Sequence, residues 1–137
     1  DLAKEDRLSE YYNAERSVLE HFRFKKLFIR RSKKAFMSFI SKELVEKVGK
    51  QERLTEAQIS NWVRRDNKLK SRFGDIREYY ATFMTKCLTQ PEIDFLQGRI
   101  SASVFMRNYF NPALIGDLKA RAFQGISEIQ ERLDYGS

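Results

Sequence analysis

Arg77, Arg99 and Tyr109 stand in order along the second half of the chain. Their segments read Gly74-Asp75-Ile76-Arg77, then Ala81-Thr82, then Phe95-Leu96-Gln97-Gly98-Arg99, then Arg107-Asn108-Tyr109. These residue types suit work on a phosphodiester. Cutting such a bond without a metal needs a nucleophile for phosphorus and positive donors for the non-bridging oxygens. It also needs a general acid for the departing sugar oxygen and a grip on the DNA backbone. An Arg guanidinium suits the second task, because its planar fork donates two hydrogen bonds and keeps its charge. A Tyr can supply the nucleophile, and its phosphotyrosyl ester conserves the bond energy for rejoining. Tyr109 lies 32 positions after Arg77.

These segments resemble the C-terminal end of the tyrosine recombinase (phage-integrase) catalytic domain. In that family an Arg opens a helix of the form R-x-x-x-A-T, a Leu-Gly-His turn follows, and a Tyr closes the set. Arg77 with Ala81-Thr82 matches the first part, and the spacing to Tyr109 is the one expected. Phe-Leu-Gln-Gly-Arg, ending at Arg99, is similar to the archaeal and viral branch, in which Arg stands where others have His. Upstream, the family's Lys at a hairpin turn corresponds to Lys33, with Lys34 its near rival. The family's first Arg, in R-x-S-E, corresponds to Arg7-Leu8-Ser9-Glu10, 26 positions before Lys33. The likeness runs over 70–120 and, more loosely, over 7–41.

The resemblance implies one mainly α-helical catalytic domain over 1–137, carrying a small β-hairpin or sheet. It implies that Tyr109 forms a 3′-phosphotyrosyl bond with DNA and releases a 5′-hydroxyl. Arg7, Arg77 and Arg99 would hold the phosphate, and Lys33 would protonate the leaving oxygen. No cofactor or metal is expected. The expected partners are double-stranded DNA attachment sites and further copies of the chain, as a homo-tetramer. The setting would be integration or excision of a viral or mobile element in the cytoplasm of a prokaryotic, archaeal host. Two departures stand out. Gly74 replaces the family's His three positions before Arg77, and Arg99 cannot shuttle a proton at neutral pH. The family's core-binding domain has no counterpart in this stretch. The chain starts at Asp1 without Met, so a piece of a longer protein is expected.

Composition agrees with a folded, polyanion-binding chain. There are 26 Lys+Arg against 19 Asp+Glu in 137 residues, giving a net charge of +7. Nucleic acid is the first candidate partner of such a chain and an anionic membrane the second. Hydrophobic residues at 42% and aromatics at 13% set it apart from a disordered tail. One Cys, Cys87, leaves no internal disulfide, which fits a reducing cytoplasm. One His and one Cys argue against a His/Cys metal site. No apolar run approaches the length needed to span a bilayer.

The elements that must position these residues follow from periodicity and caps. Residues 8–20 read as a helix with a loose apolar face. Two aromatic-rich runs around Arg30 to Lys34 read as a hairpin over 22–41, although its turn lacks Asn-Gly. Helices are expected at 42–49, from the Thr55 cap to Leu69, at 76–88 after a Gly74-Asp75 break, and at 91–97 with Pro91 in the first turn. Gly98 stops the last of these. Ser101 or Ser103 caps a short helix to Tyr109, Asn111-Pro112 breaks the chain, and a final helix covers 114–133 with Leu114, Ile115, Leu118, Ala122, Ile126 and Ile129 on one side.

Plainer readings exist for each residue. Most helical tyrosines are packing residues, and this chain has six. Arg77 can pair with Glu78 or Asp75, and Arg99 can cap a helix C-terminus. Basic runs such as Arg30 to Lys34 are usually solvated surface. The segment Leu54 to Arg65 resembles a homeodomain recognition helix, but the base-reading Asn of that family is Arg65 here. It reads as an ordinary helix with Ile59, Trp62 and Val63 inward. Its basic face, Arg64, Arg65, Lys68 and Lys70, joins Lys34 as a candidate for DNA-backbone contacts. A non-catalytic DNA-binding module built on 54–70 is the alternative function. His21 reads as a surface or structural residue, and Cys87 as a core residue.

Overall fold

The computed structural model describes residues 8–30, 34–52, 54–65, 72–109 and 111–134; the side chain of Tyr109 lies outside that set. Most described residues are helical, with one small antiparallel sheet of order β1-β2-β3.

The sheet arises where a helix was expected over 8–20. There, α1 (Leu8–Tyr11) gives way to β1 (Tyr12–Asn13), and β2 (Val18–Leu19) returns against it. Asn13 opens the turn between β1 and β2. Its Oδ1 accepts the Arg16 backbone N–H at 3.1 Å, and Ser17 takes a φ of 53°. Such side-chain bonds to nearby backbone compete with helix. Then β3 (Ser38–Phe39) pairs with β2, Val18 opposite Phe39.

The expected first strand of the 22–41 hairpin is helical instead, as a 3-10 turn His21–Phe24 and α2 (Lys25–Phe28). An isolated bridge between Ile29 and Lys34 is what remains of that hairpin among the described residues. Phe, Lys and Leu accept a helix readily, so tertiary contacts decide. His21 is the pivot. It is buried, the Tyr11 hydroxyl meets its Nδ1 at 2.8 Å and the Ser38 hydroxyl meets its Nε2 at 2.7 Å. A neutral ring donates through one nitrogen and accepts through the other, and each hydroxyl can serve either role.

Burial pushes the His21 imidazole down from 6.5 to about 4. The unfolded chain therefore binds a proton across that window while the folded chain does not, so stability falls as pH falls from 6.5 towards 4 and levels off below. The expected loss between pH 7 and pH 4.5 is about 2–3 kcal/mol. Urea melts at the two pH values measure it. His21→Gln is expected to flatten the difference, and an equal pH dependence in the variant would refute the assignment.

Local caps start the remaining helices. Ser41 Oγ accepts the Leu44 N–H at the start of α3 (Lys42–Lys50), which runs through Gly49. Thr55 and Gln58 form a reciprocal box at the start of α4 (Glu56–Arg65): the Gln58 N–H donates to Thr55 Oγ1 at 3.2 Å and the Thr55 N–H to Gln58 Oε1 at 2.8 Å. The inward face expected for this helix is not buried. Ile59 is half-buried, Trp62 is 54% exposed and Val63 38%. No residue of α4 is buried.

The core lies between α5 (Phe73–Met84), α6 (Gln90–Leu96) and α8 (Pro112–Asp134). The expected break at Gly74-Asp75 is instead the first turn of α5. Asp75 accepts the Arg72 backbone N–H at 2.7 Å, and that bond holds its carboxyl below the usual range. Thr89 and Glu92 cap α6, with Pro91 in its first turn. Glu92 also receives Arg121 of α8 through two nitrogens at 2.9 and 2.5 Å, which holds its carboxyl down to about 2. Ile115, Leu118, Ala122 and Gly125 form the buried stripe of α8, while Leu114, expected inward, is exposed. A side chain at Gly125 would meet Met84 Sδ at 2.6 Å, so α8 lies close on α5 there. Cys87 is half-buried against this core.

Candidate functional site

The site is built around the turn that ends α6. The Gln97 N–H reaches Ile93 O at 2.9 Å and the Gly98 N–H reaches Phe95 O at 3.0 Å, closing the helix. Gly98 then takes a φ of 71°. Its carbonyl accepts the Lys34 backbone N–H at 3.0 Å. The approach is tight: a Cβ at position 98 would lie 3.0 Å from Ala35 N and 3.2 Å from the Lys34 carbonyl carbon. Gly98→Ala therefore faces both a left-handed backbone, about 1–2 kcal/mol for an L-residue, and a clash with main chain, about 1–3 kcal/mol. We expect it to lower stability by about 2–5 kcal/mol, read as a shift in denaturant midpoint. A midpoint equal to wild type would mean that the turn and the 34–35 segment separate without cost.

Two basic side chains flank this turn. Arg77, in the second turn of α5, is half-buried, and its Nη2 donates to Gln97 O at 3.1 Å. The Gln97 side chain returns the bond, its Nε2 donating to Arg77 O at 3.4 Å. Asp75, a plain partner for Arg77, is engaged by Arg72 instead. Arg99 follows the turn; its side chain is 53% exposed and 3.7 Å from Asp94. Its N–H donates to Asp94 O at 2.8 Å. The structure thus brings Arg77, Arg99 and the Lys34 main chain to one turn. Gly74, on the same helix as Arg77, is exposed, and a Cβ there would meet nothing within 4 Å.

The third segment starts from the core beneath that turn. Ser101 Oγ caps α7 (Ala102–Val104), which passes into a π-helix Phe105–Tyr109. Short π-helices are rare and recur at functional sites. Phe105 is 2% exposed and stacks on Phe36 at 4.4 Å and on Phe95 at 5.9 Å. Phe36 lies two residues after Lys34, and Phe95 lies three before Gly98. One aromatic stack therefore sets the Lys34 segment, the Gly98 turn and the start of the segment that reaches Tyr109. Beyond it, Asn111 Oδ1 accepts the Ala113 N–H at 3.0 Å and opens α8.

The other described tyrosines have different surroundings. Burial raises Tyr11 to about 12, and it meets His21. The Tyr12 hydroxyl donates to Ile40 O at 3.2 Å. Burial also raises Tyr80, while Tyr79 is 50% exposed. Arg7, Lys33 and Lys70 lie outside the described residues, as does Lys68. Arg64 and Arg65 are exposed at the end of α4. Among the described residues, no group of three His, Cys, Asp or Glu side chains could hold a metal ion. Among them, too, no helix is long and apolar enough to cross a membrane.

A family model described as archaeal phage integrase matches residues 7–122. The chain belongs to that family. No curated protein and no solved structure matches it. The matched stretch of the integrase domain begins at Arg7 and carries the Arg77, Gly98-Arg99 and Tyr109 segments together.

Sequence reasoning treated Gln97 in this integrase domain only as a letter in Phe-Leu-Gln-Gly-Arg. Gln97 is the C-cap of α6, four positions after Ile93, and its spacing places a polar residue on the side of the helix that carries the apolar Ile93. The Phe36–Phe105–Phe95 stack carried no such signal, because it joins residues far apart in the chain.

Proposed function

We propose that this integrase domain, acting as one catalytic unit over 1–137, cuts and rejoins DNA through Tyr109. The observation that carries the reading is the convergence of Arg77, Arg99 and the Lys34 main chain on the Gln97-Gly98 turn. A scissile phosphate seated against this turn would meet two guanidinium groups at its non-bridging oxygens, where charge builds as phosphorus is attacked. Arg99 is free to turn towards it, since an exposed ion pair such as Arg99–Asp94 is worth only about 0.2–1 kcal/mol. Arg7 would supply a third donor.

The Tyr109 phenolic oxygen bonds to phosphorus as the bond to the 5′-oxygen breaks, and the phenol proton leaves to a base. Lys33, next in the chain to Lys34, protonates the departing 5′-oxygen. The product is a 3′-phosphotyrosyl bond and a free 5′-hydroxyl. A 5′-hydroxyl from a second strand reverses the steps and restores the phosphodiester, so the ester keeps the energy for rejoining. Lys34, Arg64, Arg65 and Lys70 would hold backbone phosphates. In this reading a homo-tetramer on two attachment sites exchanges strands for a viral or mobile element in the cytoplasm of a prokaryotic host.

The test is a covalent-trap assay. A nicked duplex bearing the element's own attachment site is incubated with the protein in EDTA and run on a denaturing gel. A slow-migrating protein–DNA species is expected. Its absence, on DNA shown to be bound, would overturn the reaction in favour of a DNA-binding module built on 54–70.

A further inference from the structure

We infer that Gln97 is a positioning residue for Arg77, holding the guanidinium where the phosphate would sit. The inference rests on the reaction proposed above and adds a part to it. The two residues make a reciprocal pair across 20 positions of chain. The Arg77 side chain donates to the Gln97 carbonyl at 3.1 Å, and the Gln97 side chain donates to the Arg77 carbonyl at 3.4 Å. Each side chain thus binds the other residue's main chain. The first bond seats the guanidinium on the turn; the second, made by the Gln97 side chain, ties the turn to α5 and keeps that carbonyl where the guanidinium meets it. One N–H of Arg77 is spent on Gln97, and a guanidinium has five. Among the described residues the other donors meet no acceptor, and they remain for an anion.

Gln97 is a poor choice for stability alone. Its Oε1 is buried, with no donor among the described residues. An unmatched buried acceptor is a cost that an apolar side chain of the same size would not carry. Gln97 also precedes Gly98, whose carbonyl holds the Lys34 main chain, and Arg99. The clamp therefore sets Arg77 relative to both other basic groups at once. Placement of this kind matters because a misplacement of about 1 Å can cost about a hundredfold in rate.

The test uses Gln97→Met, which keeps the side chain's length and the main-chain carbonyl but removes the amide that ties the turn to α5, so the carbonyl is no longer held in register with Arg77. The first arm is nuclear magnetic resonance of the whole chain with ¹⁵N-labelled arginine. Arg77, identified by its loss in Arg77→Lys, is expected to give separate, slowly exchanging guanidinium signals that collapse to the averaged position in Gln97→Met. The second arm is single-turnover adduct formation with saturating DNA. Gln97→Met is expected to slow it about 10–100-fold, with DNA affinity and melting temperature no lower than wild type. In an Arg77→Ala background, the same change is expected to add nothing. Arg77 signals that are unchanged in Gln97→Met would overturn the inference, as would an equal loss with and without Arg77. If wild-type protein forms no adduct on bound DNA, the reaction is at fault, and the resonance arm still decides whether Gln97 holds Arg77.

Discussion

Tyr109→Phe is expected to abolish the covalent protein–DNA species while leaving DNA affinity nearly unchanged. The substitution removes one oxygen and no charge, so phosphate contacts, which dominate affinity, survive. The chemistry does not survive, because no other atom of the ring can bond to phosphorus. Loss of a nucleophile typically costs at least about 10⁴-fold in rate. The other described tyrosines offer little rescue. Burial holds the Tyr11 phenol up to about 12 and raises Tyr80 as well. The Tyr12 hydroxyl is committed to Ile40 O. The measurement is the fraction of DNA shifted on a denaturing gel, beside a native binding curve for the same preparation. An adduct that persists in Tyr109→Phe would move the nucleophile elsewhere, with half-exposed Tyr79 the first to test.

Arg77→Ala should slow adduct formation by about 10²–10³-fold, the usual effect of removing one transition-state donor. Two features argue for the high end. Arg77 is half-buried, so its field is less screened than that of Arg99. It is also bonded to the Gln97 carbonyl, so little reorganisation is needed at the moment of attack. Arg77→Lys should recover only part of the loss, because a point charge cannot reproduce the planar fork. Binding should change much less than rate, since one phosphate contact changes the slope of log affinity against log salt by about 0.9. Single-turnover rates and binding curves at several salt concentrations separate these effects. Full recovery by Lys, or a loss confined to affinity, would remove Arg77 from the transition state.

The parts of the fold that were legible in the sequence are those decided within a few residues. The Thr55 cap, Pro91 in a first turn, and the stop at Gly98 all appear where expected. The stripe of α8 was readable for the same reason. The misread elements are those that distant partners decide. Phe22 to Phe28 has the composition of a strand, yet its backbone follows the buried His21 into helix, and β3 pairs with Val18–Leu19 instead. Gly74-Asp75 looked like a break because Gly is a poor helix former, but an acceptor at Asp75 is what a first turn needs. Trp62 shows that an apolar stripe predicts a helix without predicting its cover. At the site, residue types and spacing could be read, since they are properties of the chain. The bonds that orient Arg77 could not, because they exist only once α5 meets the turn after α6.

Gly125 gives the last helix a mechanical character. With no side chain there, α8 lies directly on the Met84 thioether, which is fully buried. Pro112, at the other end of the arm, is 13 residues away, or about 20 Å at 1.5 Å per residue. Between them Ile115 and Leu118 are buried in the same core. The arm is thus pinned along its length, and the helix that follows the Tyr109 segment starts from a fixed base.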